Sequence, residues 1–414
     1  MLSILLSSLV CSIFAQKNKN LKVSNMDSAY LVYFEKKMQE ADSLRKQLEA
    51  RWLTADHDTI KKVNIQNLYF KKFPDLSSFT SLQIIKAENN LISKIPAKAF
   101  ACDSLKKVNF SENRLKKVRF KKLKNLKTVS LNNNQLKRIP RSIRKLQNLE
   151  TLELSNNEIK RIPRFLLKMK SLKELNLNSN ELVLNKKAIK RLSQIPTLLL
   201  AGNNLHELPE NIGDLQGVRK LNLSKNKLSA VPDSFKTLDS LVSIIFYQNE
   251  FEVIPQEVLS LKNLTELDFY YNHIEIIPEE TGSLIQLKQL FLSFNMIDRL
   301  PDTLASLQHL IYLYVHHNQL TSIPGWITSL ENLERLDFSY NRVFEIPDLS
   351  VMKKLVEIDL QENQIEYFPW NLFNKPNLKL LIVRNNPFIL DEAEEKMLRD
   401  HDKNLGSDKP VVVY

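Results

Sequence analysis

Apolar and polar positions follow one recurring frame through most of this chain. The frame places leucines or other apolar residues around an asparagine and closes, in most copies, on proline. One copy consists of Leu149, Leu152, Leu154, Asn157, Ile159, Ile162 and Pro163. Another consists of Leu264, Leu267, Phe269, Asn272, Ile274, Ile277 and Pro278, and a third of Leu333, Leu336, Phe338, Asn341, Val343, Ile346 and Pro347. The chain is therefore built largely of internal repeats.

The spacing of the frame asparagines gives the period of the repeat. They are Asn90, Asn113, Asn134, Asn157, Asn180, Asn203, Asn226, Asn249, Asn272, Asn295, Asn318, Asn341, Asn363 and Asn386. Neighbouring members are 23 residues apart, apart from one interval of 21 and one of 22. A degenerate first unit has Leu68 in the place of the asparagine, which brings the number of repeats to about fifteen.

Each repeat predicts a short strand with one buried face, because its leucines alternate with polar residues at a period of two. A unit of this length cannot bury its apolar side alone, so neighbouring units are expected to stack into one core. With parallel strands about 4.8 Å apart, the stack would be roughly 70 Å long. The asparagines are expected to be buried, where an amide can bond its own turn and the next one. The prolines are expected to start each convex segment.

This frame resembles the leucine-rich repeat family in its pattern LxxLxLxxNxLxxLP, over about residues 60–390. The proline variant is similar to repeats of bacterial proteins and of intracellular Ras-pathway scaffold proteins. The resemblance implies an α/β solenoid, a curved horseshoe with a concave parallel β-sheet that binds other macromolecules. We therefore expect a non-enzymatic protein-binding module, and the alternative is an intracellular scaffold in signal transduction.

The chain divides by sequence into four regions. Residues 1–15 are expected to be a signal peptide, 16–59 an N-terminal segment with a capping helix, 60–390 the repeat domain, and 391–414 a C-terminal cap and tail. The first region is an apolar run that ends at Ala15, although no Lys or Arg precedes it. We expect a secreted, periplasmic or cell-surface protein with no transmembrane span in the mature chain. A cytoplasmic location is the alternative.

Periodic apolar residues predict helices at both ends of the repeats. Residues 25–53 carry Leu31, Phe34, Met38, Ala41, Leu44 and Leu48 at three- and four-residue spacing. Packing against the first repeat is the favoured interpretation of this helix, with partner binding as the alternative. Residues 391–399 predict a closing helix with acidic residues in its first turn. The tail Gly406–Tyr414 would either add a last strand, with the sequence VVVY, or fray.

Composition argues against enzymes and cofactors. The chain has six glycines and lacks the glycine-rich loops that bind phosphate and the turn that presents a nucleophilic serine. Its two cysteines, Cys11 and Cys102, cannot form a disulfide framework or a cysteine zinc site. His316 and His317 are not expected to bind a metal together, because successive strand residues point to opposite faces. The regions outside 60–390 are too short for a catalytic domain.

Aromatic residues accumulate in the polar slots of the later strands, which should face the concave side. The candidate partner-binding patch consists of Tyr247, Asp268, Tyr270, Tyr271, Phe291, Phe294, Tyr312, Tyr314, His316, His317 and Tyr340. Exposed aromatic clusters of this kind often mark interaction sites. The alternative is that the rings only stabilise the sheet by cross-strand contacts.

Charge is unevenly distributed along the chain, whose net charge is +12. Residues 105–191 contain 25 Lys and Arg against 6 Asp and Glu, a balance of +19, and residues 241–400 contain 12 against 24, a balance of −12. A candidate basic edge comprises Lys116, Lys117, Lys137, Arg138, Lys160 and Arg161. This edge could meet an anionic glycan or an acidic protein, or be only a solvated face, and nucleic acid is not the expected partner. Self-association between the unlike ends is a further alternative.

Overall fold

A computed structural model describes residues 28–373, 375–403 and 410–414. The expected signal peptide of residues 1–15 lies outside the described residues. The chain divides into two compact units, one that ends at Leu136 and one that begins at Lys137. The domain limits drawn from the sequence stay predictions.

The described residues of the first unit, from residue 28 onward, form one long helix, one 3₁₀ helix and four strands. They are α1 (Ser28–Thr54), β1 (Lys62–Asn64), β2 (Ile84–Lys86), the 3₁₀ helix Ala97–Phe100, β3 (Lys107–Asn109) and β4 (Thr128–Ser130). The strands pair in parallel in sequence order, with Val63 opposite Ile85 and Ile85 opposite Val108. These central residues are fully buried, as the alternation of apolar and polar positions predicts.

The helix α1 packs on the first repeat only in part. The Trp52 ring lies 5.8 Å from that of Phe79, and the Arg45 guanidinium lies over Phe70. Ala41 is buried, but Leu44 is 54% exposed. The predicted helix is therefore confirmed, and its contacts with Phe70 and Phe79 agree with the expected packing on the first repeat, although Leu44 of its apolar face stays exposed.

The second unit contains twelve described strands joined by short helical segments. The strands are β5 (Thr151–Glu153), β6 (Glu174–Asn176), β7 (Thr197–Leu199), β8 (Lys220–Asn222), β9 (Ser243–Ile245), β10 (Glu266–Asp268), β11 (Gln289–Phe291), β12 (Tyr312–Tyr314), β13 (Arg335–Asp337), β14 (Glu357–Asp359), β15 (Leu380–Ile382) and β16 (Val411–Val413). The α-helices are α2 (Lys186–Leu192), α3 (Gln256–Leu259), α4 (Trp370–Phe373) and α5 (Glu392–Lys403). The 3₁₀ helices are Arg141–Lys145, Arg164–Lys168, Ile212–Asp214, Asp233–Thr237, Glu279–Ser283, Asp302–Ser306, Gly325–Ser329 and Leu349–Val351.

The strands of the second unit pair in parallel in sequence order and in perfect register with the repeat. Leu267 lies opposite Ile244 on one side and Leu290 on the other. The middle residue of each strand is buried, and the residues on either side of it are more exposed. Each repeat thus adds one layer to a shared apolar core, which the repetitive frame predicts.

The frame asparagines close the turns between strand and connecting segment. The buried Asn272 side chain donates from Nδ2 to the carbonyls of Phe246 and Phe269, each at 3.0 Å, and its Oδ1 accepts from the Phe251 amide at 3.2 Å. Phe246 and Phe251 belong to the repeat before Asn272. The predicted structural role is confirmed with one correction: besides its own turn, the amide bonds the preceding repeat and not the following one.

Proline starts the connecting segments, as predicted. Pro163, Pro232 and Pro301 each precede a 3₁₀ helix with φ between −79° and −70°. Such values suit the fixed φ of proline, which has no amide hydrogen to leave unbonded at a helix start.

The C-terminal end of the repeats is closed by α5 and β16. Asp391 and Glu394 form a reciprocal cap, because Asp391 Oδ1 accepts from the Glu394 amide and Glu394 accepts from the Asp391 amide. Leu398 of α5 is fully buried, and His401 bonds the Pro410 carbonyl at 2.8 Å. The strand β16 pairs with β15. The structure therefore confirms both the closing helix and the additional strand.

Candidate partner-binding surface

The open face is defined here as the sheet face of β9–β14 that lies opposite the apolar core. It carries the first and third residue of each strand and the two residues that follow at positions five and six. In β10 these residues are Glu266, Asp268, Tyr270 and Tyr271, while Leu267 and Phe269 are buried beneath them. The parallel register repeats this arrangement in every strand, so residues about 23 positions apart become neighbours.

Four of the predicted site residues form a stacked column, defined by Tyr271, Phe294, His317 and Tyr340. Their successive ring centroids are 4.1, 3.9 and 4.1 Å apart, and the rings are inclined by only 14°, 13° and 21°. The two end members, Tyr271 and Tyr340, are 43% and 39% exposed. The ring at each end of the column is therefore partly exposed to water.

All four members of the stacked column adopt a left-handed backbone conformation, with φ between 51° and 56°. The position before the frame asparagine is left-handed in other repeats too, where it holds tolerant residues such as Asn133 and Gly202 but also Lys225 and Gln248. A bulky residue there costs roughly 1–2 kcal/mol, whereas a stacked aromatic pair contributes about 0.5–1.5 kcal/mol. Because the left-handed turn is common to these repeats, its backbone cost is not specific to the aromatic residues. Their three stacking contacts therefore add to the stability of the open face.

Further predicted residues surround this column. Tyr270 lies 5.2 Å from Phe294 and 5.4 Å from His316, and Tyr247 lies 5.5 Å from Tyr270, measured between ring centroids. Together with the column they form the turn cluster, which consists of Tyr247, Tyr270, Tyr271, Phe294, His316, His317 and Tyr340. Sequence analysis grouped these seven residues, and the structure brings their rings together.

The other three predicted aromatics form a second group, the strand cluster of Phe291, Tyr312 and Tyr314. Tyr314 lies 5.3 Å from Phe291 and 6.3 Å from Tyr312. Arg335 lies over the Tyr312 ring at 5.5 Å and pairs with Glu357 at 3.2 Å. No ring contact within the described residues joins the two clusters. Sequence analysis missed Arg335, although its place as the first residue of β13 marked it as part of the open face.

The positions of His316 and His317 contradict one expectation from the sequence. They were expected to point to opposite faces, but His316 Nδ1 and His317 Nδ1 lie 2.9 Å apart. The strand β12 ends at Tyr314, and the left-handed backbone of His317 (φ 51°) turns its ring back beside that of His316. His316 Nε2 lies 3.9 Å from Asp337 Oδ2. Within the described part of the chain, no group of three or more His, Cys, Asp or Glu side chains could hold a metal ion.

Burial perturbs the ionisable groups of the open face. Removal from water raises the pKa of Asp268 to about 6, although a hydrogen bond from the Tyr270 amide acts in the opposite direction. Burial likewise raises the pKa of Asp359 to about 6 and that of Tyr270 to about 12. Burial lowers the pKa of both His316 and His317. The histidines are consequently neutral at pH 7, and the carboxylates are held in a poorly solvated setting.

The carboxylate of Asp268 also has a local bond that does not require its charge. Its Oδ1 accepts a 2.8 Å bond from the Tyr270 amide, two residues on. Asn222 in β8 makes the equivalent bond to the Ser224 amide at 2.9 Å. A neutral amide therefore serves this turn equally well, and the turn does not explain the negative charge at position 268.

The candidate basic edge falls in both compact units, so its two parts are described separately. In the first unit, Lys116 and Lys117 are exposed. In the second unit, Lys137, Arg138, Lys160 and Arg161 are exposed, Lys137 lies 3.9 Å from Glu158, and Lys160 pairs with Glu181 at 2.9 Å. Carboxylates of the next repeat thus partly neutralise the edge in the second unit. Its role as a binding surface stays a prediction.

One cavity was not foreseen from sequence. It lies beside α2 and includes Arg161, the only residue of its lining that sequence analysis had named as a candidate binding residue. The signal in the sequence was a break in the frame after Asn180, where neither the apolar residue nor the proline of the frame is present.

The fold and its regular frame identify the chain as a solenoid repeat protein. Four family models match it, all of leucine-rich repeats: "Leucine rich repeat" at 118–159 and 285–343, a two-copy model at 147–190, a BspA-type region at 58–119 and a single repeat at 263–284. The chain belongs to the leucine-rich repeat proteins, and the predicted fold class is confirmed. None of the matching models describes a catalytic family.

Solved structures show the same fold. A leucine-rich repeat protein of Leptospira interrogans is 27% identical, with a TM-score of 0.73 over 90% of this chain and 98% of that chain. The TLR13–ssRNA13 complex is 20% identical, with a TM-score of 0.62 over 81% of this chain and 54% of the receptor. The Drosophila Toll–Spätzle complex is 21% identical, with a TM-score of 0.59 over 75% of this chain and 52% of that chain. A search of curated protein sequences found no match.

Across residues 28–373, 375–403 and 410–414, no helix is both long and apolar enough to cross a bilayer.

Proposed function

We propose that this protein is a non-enzymatic recognition module and that the open face of β9–β14 binds a protein partner. The stacked column carries the proposal. Its four rings lie side by side on the open face, and its end members Tyr271 and Tyr340 are 43% and 39% exposed. Exposed aromatic clusters of this kind often mark interaction sites. Tyrosine at an interface supplies a large apolar area with a polar tip, which makes it a frequent anchor of binding energy.

The partner is proposed to present basic side chains to this face. The open face carries six carboxylates, those of Glu266, Asp268, Asp337, Glu357, Asp359 and Glu362, and a single cationic residue, Arg335. A basic partner would relieve the cost of keeping Asp268 and Asp359 poorly solvated, and it would be attracted at long range by the acidic field. Two of the neighbouring folds are complexes with a protein or an RNA, and the acidic open face favours the protein.

A crosslinking experiment identifies the partner and tests the surface. A photoreactive phenylalanine analogue replaces Tyr340 in the full chain, produced in its own cells, and a control places it at Tyr367, which is 83% exposed on a connecting segment. We expect one discrete protein adduct from position 340 and none from position 367. The same adducts from both positions would contradict the proposed surface.

Affinity for the captured partner then tests the aromatic residues. The triple variant Tyr271→Ala, Phe294→Ala, Tyr314→Ala should lower the affinity by about 100-fold or more, since truncation of one aromatic hot spot costs about 2 kcal/mol or more and the effects of neighbouring anchors are not additive. The matched control replaces three large residues outside the open face, which are Phe344, Tyr367 and Ile389, exposed by 54%, 83% and 92%. Unchanged affinity in the first triple variant, with its circular dichroism intact, removes the open face from consideration.

We also propose that the protein is exported, on the basis of the apolar run of residues 1–15. N-terminal sequencing of the protein from its own cells should find a mature chain that begins at Gln16. A cytosolic chain that retains Met1 would instead support the alternative, an intracellular scaffold in signal transduction.

A further inference from the structure

A cavity beside α2 in the second unit lies apart from the open face. Its volume is about 280 Å³, and its lining consists of Arg161, Ile162, Val183, Asn185, Lys187, Ala188 and Arg191. Ile162 and Ala188 are buried and supply an apolar floor, and Val183 is 59% exposed. The proposed protein-binding function does not use any of these residues.

A departure from the repeat frame creates the cavity. The fifth position after each frame asparagine is apolar and buried in the flanking repeats, where Ile162 and Leu208 are 2% and 6% exposed. In the repeat between them this position holds the exposed Asn185, and Lys186 replaces the proline that follows. Asn185 instead caps α2 by accepting a bond from the Ala188 amide at 3.0 Å. The space that an apolar side chain fills in other repeats is thus open to solvent.

Three cationic side chains surround this space. They are Arg161, Lys187 and Arg191, and in the described part of the chain none of them forms an ion pair with a carboxylate. Arg191 Nη1 donates to the Ile162 carbonyl at 2.6 Å. That bond fixes the guanidinium plane at the cavity wall and leaves further N–H groups of the same side chain for a ligand. Residues 137–191 contain 15 Lys and Arg against 5 Asp and Glu, so the surrounding field also favours an anion.

We propose that this cavity is a binding site for a phosphate or sulfate monoester, whose oxyanion meets Arg161, Lys187 and Arg191 while its apolar substituent lies against Ile162 and Val183. A guanidinium presents paired donors that match the oxygens of phosphate or sulfate, and three cations that line one cavity suit a tetrahedral group with three free oxygens. The volume of about 280 Å³ lies just below the range usual for small-molecule sites, roughly 300–1,000 Å³, and suits an ester of about one ring.

Calorimetric titration of the full chain with phenyl phosphate and phenyl sulfate tests the site. Saturable binding of at least one probe is expected, with an affinity reduced by about 10-fold or more in Arg191→Gln and in Lys187→Gln. The matched control is Lys190→Gln, which removes the same charge from α2 outside the cavity lining and should change the affinity by less than about 2-fold. The site is rejected if neither probe binds, or if Lys190→Gln weakens binding as much as Arg191→Gln does.

A second variant tests whether binding requires the cavity itself or only the charges around it. Asn185→Leu restores the apolar residue of the frame and keeps all three cations, so it should abolish probe binding by filling the space. Binding that persists in Asn185→Leu, with circular dichroism unchanged, would reduce the site to surface charge and overturn the proposal.

The source of the ester is distinguished by a third titration, with a sulfated oligosaccharide of heparin type. Binding of this probe that is tighter than that of phenyl sulfate and lost in Asn185→Leu assigns the ester to a glycan. Tighter binding of the phenyl esters assigns it to a free small molecule.

Discussion

The substitution Asp268→Asn should stabilise this protein at neutral pH, although it alters a residue proposed to bind the partner. Asp268 is poorly solvated, and burial raises its pKa from 3.8 to about 6. Asparagine keeps an Oδ1 acceptor for the Tyr270 amide and is already used at the equivalent position by Asn222. The variant therefore removes an unfavourable charge without breaking the turn.

The size of the effect follows from the pKa difference. A raised carboxyl pKa means that the folded state holds its proton more tightly than the unfolded state does, so ionisation destabilises the fold. The penalty is absent below the unfolded pKa of 3.8, grows between pH 3.8 and 6, and is fully present above pH 6. A shift of about two units corresponds to about 3 kcal/mol. Asp268→Asn should recover most of this at pH 7.5 and only a few tenths of a kcal/mol at pH 3.5.

Urea unfolding at the two pH values measures this difference. The control is Asp302→Asn, an exposed aspartate of a connecting segment, for which we expect a change below about 0.5 kcal/mol at both pH values. Equal or lower stability of Asp268→Asn at pH 7.5 would refute the assignment of Asp268 as a desolvated carboxylate. Partner affinity of the same variant should fall, because the charge proposed to attract basic side chains is gone.

Three further predictions concern stability and titration. Asn272→Ala should lower the free energy of unfolding in urea by roughly 2–4 kcal/mol, because buried backbone groups lose their partner; a loss below about 0.5 kcal/mol would contradict this role. Gly282→Ala should lower the free energy of unfolding by about 1–3 kcal/mol, since the added Cβ would lie 2.2 Å from the Thr303 carbonyl oxygen. The control Gly325→Ala, whose Cβ would have no atom within 4 Å, should be neutral or slightly stabilising. Burial lowers the pKa of His316 below its usual value of 6.5, so protonation of its ring destabilises the fold as the pH falls below 6.5. An NMR titration of His316 with a midpoint at or above pH 6.5 would contradict the burial of this ring.

The open face was largely predictable because the strand period assigns sides to residues without any knowledge of the packing. Residues such as Tyr270 and Tyr314 fall in polar slots of the frame, and the parallel register then places equivalent slots beside each other. The same rule failed at His316 and His317, because it assumes that an extended strand continues. Arg335 was not predicted as a site residue, since only aromatic, histidine and acidic residues at these positions were taken as candidates.

The sequence by itself determined the period, the short parallel strands, the buried asparagines and the helix starts at proline, because each depends on local backbone preference and on burial that recurs every 23 residues. Only the tertiary structure decided how the rings meet. The left-handed turn that stacks Phe294 on His317 and the division of the aromatics into two clusters depend on side-chain contacts between repeats. The cavity near Asn185 likewise exists because neighbouring repeats keep their spacing around a missing apolar residue, which is a property of the packed repeats and not of one repeat alone.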